Sequence, residues 1–474
     1  MRGKRRIAGC LVAIAALAAT GTAAHAAPMA GNHSGSAVSD PKADPYYPAK
    51  GTTAVDALHY GLGLRWDRTT RTLHGVARIR FRSTHDESSF SLDLSKRLQV
   101  TSVRLDGTRA RFSHPGNKLV VSRSGLAADS RHRLVVVYGG HPGPASAPAE
   151  RADIPHVGWT NTRAGGMWTM QEPFGAFTWY PVNDHPSDKA FYDLRVDVPR
   201  PFVGVANGDL VSRTRAHGRT VTRWHMSDPA ASYLVTLAIG DFVRIRDTGP
   251  HGLPLSYWVP RRAEGAWEPL LRRSPAILTW LEQRLGPYPF DTAGVVVVGG
   301  TSAMETQGLV SLGAGVRSSR RELQSVLAHE YAHQWYGDTV TPDNWRDLWL
   351  NEGFAMYVEI QYRIAQHWES EIRWRGELAN EDQLARDVDG PPGRYRRQDF
   401  GGASVYYCPA LMLFELRDRV GASTFDHLLA AWPQEHRDSN VNRQDYITWF
   451  DQAVGHDYSR FFHQWLMSST TPAL

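Results

Sequence analysis

His329-Glu330-Tyr331-Ala332-His333 is the densest concentration of chemistry in the chain. On a helix, positions i and i+4 share a face, so both imidazoles can reach one ion. Glu330 flanks that face, placed to handle a proton rather than to ligate. Leu323, Val326 and Leu327 lay an apolar stripe just upstream, as expected of a helix embedded in a core. Glu352 follows His333 after 18 intervening residues, in a second helical stretch opened by Trp349-Leu350-Asn351-Glu352-Gly353-Phe354. Two antiparallel helices with a loop between them can bring that carboxylate to the histidine pair. Two histidines and one glutamate make a three-ligand set for one zinc ion with a fourth position open, as in catalytic sites, whereas a structural zinc closes all four. Glu359 reads as an outward-facing or supporting carboxylate, and Asp338 or Asp347 could orient a ligand histidine by accepting its free N–H.

The elements that must position these groups change character along the chain. From Tyr46 to about residue 245 the pattern is one of strands and turns. Val76 to Phe81 and Phe191 to Val198 alternate, while Leu134 to Tyr138 and Tyr233 to Ile239 are apolar and β-branched. Asp106-Gly107 and Asn207-Gly208-Asp209 mark hairpin-like turns. The expectation is an all-β sheet or sandwich with one wet face. From about residue 246 to 474 the pattern is mixed α/β and then mainly helical. A helix around Leu270 to Leu281 ends at Gly286-Pro287, and Val295 to Val298 is a short buried strand. Helices follow over Arg320 to Tyr336, Asn351 to Gln366, Ser404 to Arg419 and Asp445 to Val454.

The chain has 474 residues, a net charge of +5 and two cysteines, which excludes a disulfide-stapled or iron–sulfur protein. Arg2, Lys4, Arg5 and Arg6, then the uncharged run from Ile7 to Ala18 and Ala24-His25-Ala26, form the three-part pattern of an export signal over residues 1–26. Cleavage there removes four positive charges and Cys10, leaving +1 and the single thiol Cys408. The expected product is secreted, with no stable membrane anchor and a flexible lead-in over residues 27–45. A near-neutral mature chain without a recognised module or basic stripe argues against nucleic acid as partner.

The run His329-Glu330-x-x-His333-x-Trp335-x-Gly337-x-x-Val340-Thr341-x-x-x-Trp345-x-x-x-Trp349-Leu350-Asn351-Glu352-Gly353-Phe354-Ala355 closely resembles the M1 family of zinc aminopeptidases. The resemblance implies a thermolysin-like catalytic domain, His329, His333 and Glu352 as ligands of one zinc ion, and Glu330 as general base. Ser302-Ala303-Met304-Glu305-Thr306 resembles the family's Gly-x-Met-Glu-Asn segment, departing at Ser302 and Thr306. It implies a cleft-lining strand at Ala303 and Met304, with Glu305 holding the substrate's free α-amine. Gln171-Glu172-Pro173 resembles a segment supplying a second amine contact, assigned to Glu172. Val405-Tyr406-Tyr407-Cys408-Pro409-Ala410-Leu411 resembles a segment whose first tyrosine stabilises the tetrahedral intermediate. That points to Tyr406, with Tyr407 beside it and with Cys408 and Pro409 in place of a basic residue and glycine. The implied activity is removal of N-terminal residues from peptides with a free N-terminus. An endopeptidase or epoxide hydrolase on the same metal site, or a non-catalytic peptide-binding protein on this fold, are the alternatives.

Overall fold

The computed structural model describes residues 38–149, 154–316 and 319–473. The expected export signal and the first part of the expected lead-in fall outside the described residues. A β-rich part reaches to Gly313, and a helical part from Arg320 to Met467 carries the metal-ligand candidates.

The largest sheet has nine strands. In spatial order eight are Asp209–Ala216, Arg219–His225, Lys189–Pro199, Val55–Asp67, Thr72–Ser83, Arg131–Gly140, Leu98–Leu105 and Thr108–Arg109; Ala230–Ala231 adds to Lys189–Pro199. Only Val55–Asp67 with Lys189–Pro199 is parallel in this sheet. Alternation puts Leu62, Leu64, Ile79, Phe81, Leu134 and Val136 into the core and leaves the other face wet. A five-stranded sheet built on Val203–Ala206, Leu237–Gly240 and Met167–Met170, and a three-stranded one, complete the layers. Another five-stranded sheet runs Phe242–Thr248, Pro254–Pro260, Ala293–Val298, Val310–Gly313, Ala303–Met304, which makes Ala303–Met304 an edge strand. Phe242–Thr248 pairs along its length with Pro254–Pro260, so the architecture changes ahead of residue 245. The two halves also share a core, in which Trp258, Val296, Met304, Trp345 and Val405 pack with residues of the β layers.

Three local expectations are corrected. Residues 38–45 do not form a flexible lead-in. Asp44 is buried, its Oδ1 accepting from the backbone N–H groups of Tyr46 and Tyr47 and its Oδ2 from that of Trp345 at 2.8 Å. Lys42 pairs with Asp343 at 2.5 Å, and the Tyr46 hydroxyl donates to the Tyr395 carbonyl. Polar anchors do here what apolar ones were expected to do. Second, Asn207-Gly208-Asp209 is no hairpin, because it carries the chain from the five-stranded to the nine-stranded sheet. Gly208 has φ +78°, and a β-carbon there would meet the His225 carbonyl oxygen at 2.1 Å. Asn207 is fully buried and donates to the carbonyls of Leu234 and Gln307. Third, only Leu237–Gly240 of the run from Tyr233 to Ile239 is strand; Ser232–Leu234 is a 3-10 turn. The Tyr233 hydroxyl is drawn to the Gly337 carbonyl and accepts from Asn351 Nδ2, beside the candidate metal ligands.

The helix expected around Leu270 to Leu281 is two, Glu264–Leu271 and Ser274–Leu285, while the others form as Arg320–Ala332, Trp349–Ala365, Ala403–Val420 and Arg443–Val454. Gly286, at φ +82°, ends Ser274–Leu285. Glu371–Asp389, Ala422–Glu435 and Ser459–Met467 are additional helices. None of the helices in the described residues is long and apolar enough to cross a membrane.

Candidate metal centre and substrate cavity

Ser319 caps the helix Arg320–Ala332, its hydroxyl accepting from the Glu322 N–H. His329 lies in the last turn and His333 at the C-cap, so one face presents both rings. Gly337 then turns the chain back at φ +133°, where a β-carbon would press on His333 Nδ1 and Asn351. Trp349–Ala365 begins twelve residues later and carries Glu352 in its first turn. Trp335, Trp349, Phe354 and Tyr357, all nearly inaccessible to solvent, pack these helices together.

His329 Nε2 and His333 Nε2 lie 3.1 Å apart, and each is 3.2 Å from Glu352 Oε2. Those edges are close to the ~3.3 Å separation of ligand atoms held about 2.0 Å from one tetrahedral ion. This is the only such His/Cys/Asp/Glu cluster among the described residues. Charge makes the same case for a cation. Glu305, Glu330, Glu352 and Glu359 are all buried around two imidazoles, an excess of negative charge that a divalent ion offsets. Burial would raise the Glu352 carboxyl, but the two imidazoles reverse this and hold it well below the usual carboxylate range. Burial pushes Glu330, which ligates nothing, up to about 8.

Each ring is set from behind. His333 Nδ1 donates to the Tyr336 carbonyl at 3.0 Å, which leaves the Nε2 lone pair for a metal. His329 Nδ1 lies 3.2 Å from Glu359 Oε2, and Glu359 Oε1 accepts from Ser325 and Arg363. Glu359 is therefore the supporting carboxylate. Neither aspartate plays that part, since Asp347 pairs with Arg443 at 2.6 Å, and Asp338 is buried with neither ligand histidine on its carboxylate.

The cluster opens on a cavity of about 520 Å³. Glu172, Ala303, Met304, Glu305, Glu330 and Tyr406 all line it, so the structure brings every predicted site residue together. Tyr406 sits in the first turn of Ala403–Val420, its hydroxyl donating to Glu352 Oε1 at 2.8 Å and its ring 6.1 Å from that of His329. Tyr407 lines the same cavity. The departures at Thr306 and Pro409 are absorbed locally. Thr306 Oγ1 bonds the Leu309 carbonyl and Ser311 Oγ, which continues to Thr236. Pro409 packs on Gly353, where a β-carbon would meet its ring at 2.5 Å. Helix and helix thus touch one residue from Glu352.

Glu305 Oε1 is buried with no hydrogen-bond partner, and burial raises its carboxyl. Gln334, which sequence reasoning missed, holds this wall to the metal-ligand helix: Nε2 donates to the Glu305 carbonyl at 3.1 Å and Oε1 accepts from the Gly308 N–H at 2.7 Å. Its position next to His333 was the available signal. Beside this wall Gln171 donates to the Ser232 and Val235 carbonyls, and its N–H meets Met304 Sδ at 3.4 Å, fixing the chain just before Glu172.

Comparison with known proteins agrees with this geometry. The description Peptidase M1 N-terminal domain matches residues 56–234, and Peptidase family M1 domain matches 271–465. Glutamyl aminopeptidase of Rattus norvegicus is 28% identical over 276 residues, 56% of this chain and 29% of that protein. Endoplasmic reticulum aminopeptidase 1 of Homo sapiens is 25% identical over 431 residues, 82% of this chain and 45% of that protein. The chain spans less than half the length of these curated relatives. A crystal structure of an M1 zinc metallopeptidase from Deinococcus radiodurans superposes with a TM-score of 0.78 at 27% identity, covering 91% of this chain and 98% of that one. With both family domains matched in order around one His–His–Glu cluster, the chain belongs to peptidase family M1.

Proposed function

We propose that this protein is a secreted zinc aminopeptidase that removes residues from peptides with a free N-terminus. The observation that carries the reading is Glu305: a buried carboxylate with an unpartnered oxygen in the same cavity as the metal-ligand cluster. A buried acceptor left open is costly unless a ligand fills it, and a protonated α-amine is the complementary group. Glu172, lining the same cavity, adds a second negative contact. Anchoring the amine there sets the scissile bond one residue in, which favours an exopeptidase over an endopeptidase.

His329, His333 and Glu352 would hold a zinc ion, which would supply the Lewis acidity that activates water and polarises a peptide carbonyl. Glu330 accepts the proton of the attacking water at its carboxylate and passes it to the departing amine nitrogen. The Tyr406 hydroxyl, already beside Glu352, donates to the oxyanion as charge develops. The Deinococcus radiodurans relative has been crystallised with a Tyr-Ser-Ala substrate, a short peptide of the class proposed here. The three-part pattern of residues 1–26 supports an activity outside the cell.

Hydrolysis of matched free and N-acetylated peptides, with and without a chelator, tests the reading. The free peptide should be cleaved and the blocked one spared, with activity lost on chelation. Equal cleavage of both overturns the amine pocket, and cleavage that persists without metal overturns the centre.

A further inference from the structure

The wet face of the nine-stranded sheet carries an arrangement that peptide hydrolysis does not use. Arginines stand directly opposite arginines in register: Arg80 with Arg133, Arg82 with Arg131, Arg104 with Arg109, and Arg195 with Arg223. Inward neighbours Ile79, Phe81, Leu134, Leu105 and Leu194 are buried, so these side chains share the outer face. Arg78 joins them from the strand Thr72–Ser83, one register step from Arg80 and separated from Arg104 by Val135. Like charges directly opposite in an antiparallel pair destabilise it, and in Arg80–Arg133 and Arg104–Arg109 neither arginine has a carboxylate partner among the described residues to offset that cost.

Several acids on and around this face are already engaged. Asp193 lies between His59 and His225, Asp197 pairs with Arg219, Asp56 and Asp129 hold Arg82, and Asp106 holds Arg123 and His132. Among the described residues Arg78, Arg80, Arg104, Arg109 and Arg133 have no carboxylate partner, and all five are exposed. They come from four adjacent strands, about 4.8 Å apart, with successive outward positions along a strand about 6.8 Å apart. The result is a grid of guanidinium groups able to engage several anionic groups of one chain at once.

We infer that this face is a docking surface for a flexible linear polyanion carrying phosphate groups, separate from the peptidase cavity. Charge complementarity selects an anion, and shape selects among anions. Neighbouring strands rotate by about 20–25° each, so a face of this width is strongly twisted; a flexible chain can follow it, whereas a planar bilayer touches few strands at once. The outward positions of these strands present arginine, histidine, valine, glycine and small polar residues such as Gln99 and Thr101, and no Trp, Tyr or Phe on which bases could stack, which disfavours a single-stranded nucleic acid. Tethering to such a polymer would retain an exported enzyme near a surface while its cavity stays open.

Binding of the full chain to linear inorganic polyphosphate, measured across a salt series, tests this. Affinity should fall steeply with salt. The combined variant Arg78→Gln, Arg80→Gln, Arg104→Gln and Arg133→Gln should bind at least tenfold more weakly, with a shallower salt dependence, by about one slope unit for each arginine lost. Its melting temperature should be equal or higher, because repulsive pairs are removed, and its hydrolysis of a short uncharged peptide should be unchanged. Equal binding by parent and variant overturns the proposal, as does binding that ignores salt. Stronger binding of the parent to a single-stranded oligonucleotide or to anionic vesicles at equal charge overturns the assigned partner. The measurement does not need peptidase activity, so it stands apart from the test of the catalytic reading.

Discussion

The cavity has two kinds of wall. On one side His329, His333, Glu352 and Tyr406 come from helices; on the other Glu172, Ala303, Met304 and Glu305 come from strands and the turns beside them. On the helical wall two ligands share one helix and Tyr336 sets one of them from three residues on, while Glu352 and Glu359 come from a second helix packed against the first. The β wall is held by long-range ties, Gln334 to Glu305 and Gln171 to Ser232 and Met304. Chemistry that must hold a metal to tenths of an ångström sits on the stiffer support. Recognition of one end of a peptide sits on the other. The two walls should therefore fail differently, the helical one in turnover or metal content and the β one in selection of the free amine.

The sharpest separation comes from Glu330→Gln, which should lower kcat by about 10²–10⁴-fold while metal analysis finds the ion still bound. Retained turnover would place the base elsewhere. Next, Glu305→Gln should act mainly on KM and erase most of the preference for free over acetylated peptide, at a loss in kcat/KM of about tenfold or more, since one pKa unit of lost ion pairing is worth about 1.4 kcal/mol. A pure kcat effect with selectivity intact would break the division between the walls. Glu359→Gln touches no substrate and should weaken metal affinity about 10–100-fold, read by competition with a chromophoric chelator, with near-normal kcat once the site is saturated. The smallest effect on chemistry is expected from Asp44→Ala, which leaves the Trp345 N–H and two other backbone donors without their acceptor. It should cost about 1–3 kcal/mol of stability, read in denaturant, with the kinetic constants of the remaining folded enzyme unchanged.

How much could be read in advance follows the range of the interactions. Two histidines four apart on a helix need no tertiary information to share a face, and Glu352 opens the next strongly patterned helix. The supporting carboxylate was not legible. Asp338, Asp347 and Glu359 are similar in sequence terms, and only the packing of Trp349–Ala365 against Arg320–Ala332 sets Glu359 behind His329 while Arg443 takes Asp347. The segment at residues 38–45 misled for a related reason. Its few anchors are carboxylates and hydroxyls whose partners lie far away in sequence, at Lys189, Asp343 and Trp345. Composition reports flexibility where burial of polar groups has produced order.

The sequence by itself determined the ligand set, the order of a β-rich and a helical region, and the pairing of a metal-site glutamate with a base, because helical periodicity and strand alternation are local properties of the chain. Tertiary structure decided which carboxylate backs which histidine, that an edge strand and a loop from the β-rich part close the cavity, and that arginines meet arginines across the sheet. Arg78, Arg80 and Arg82 alternate in sequence as any wet strand might. The opposition of Arg80 to Arg133 and of Arg82 to Arg131 exists only once the register between two strands is set, and that register is chosen by the apolar residues on the other face, which must be buried whatever charges it aligns outside.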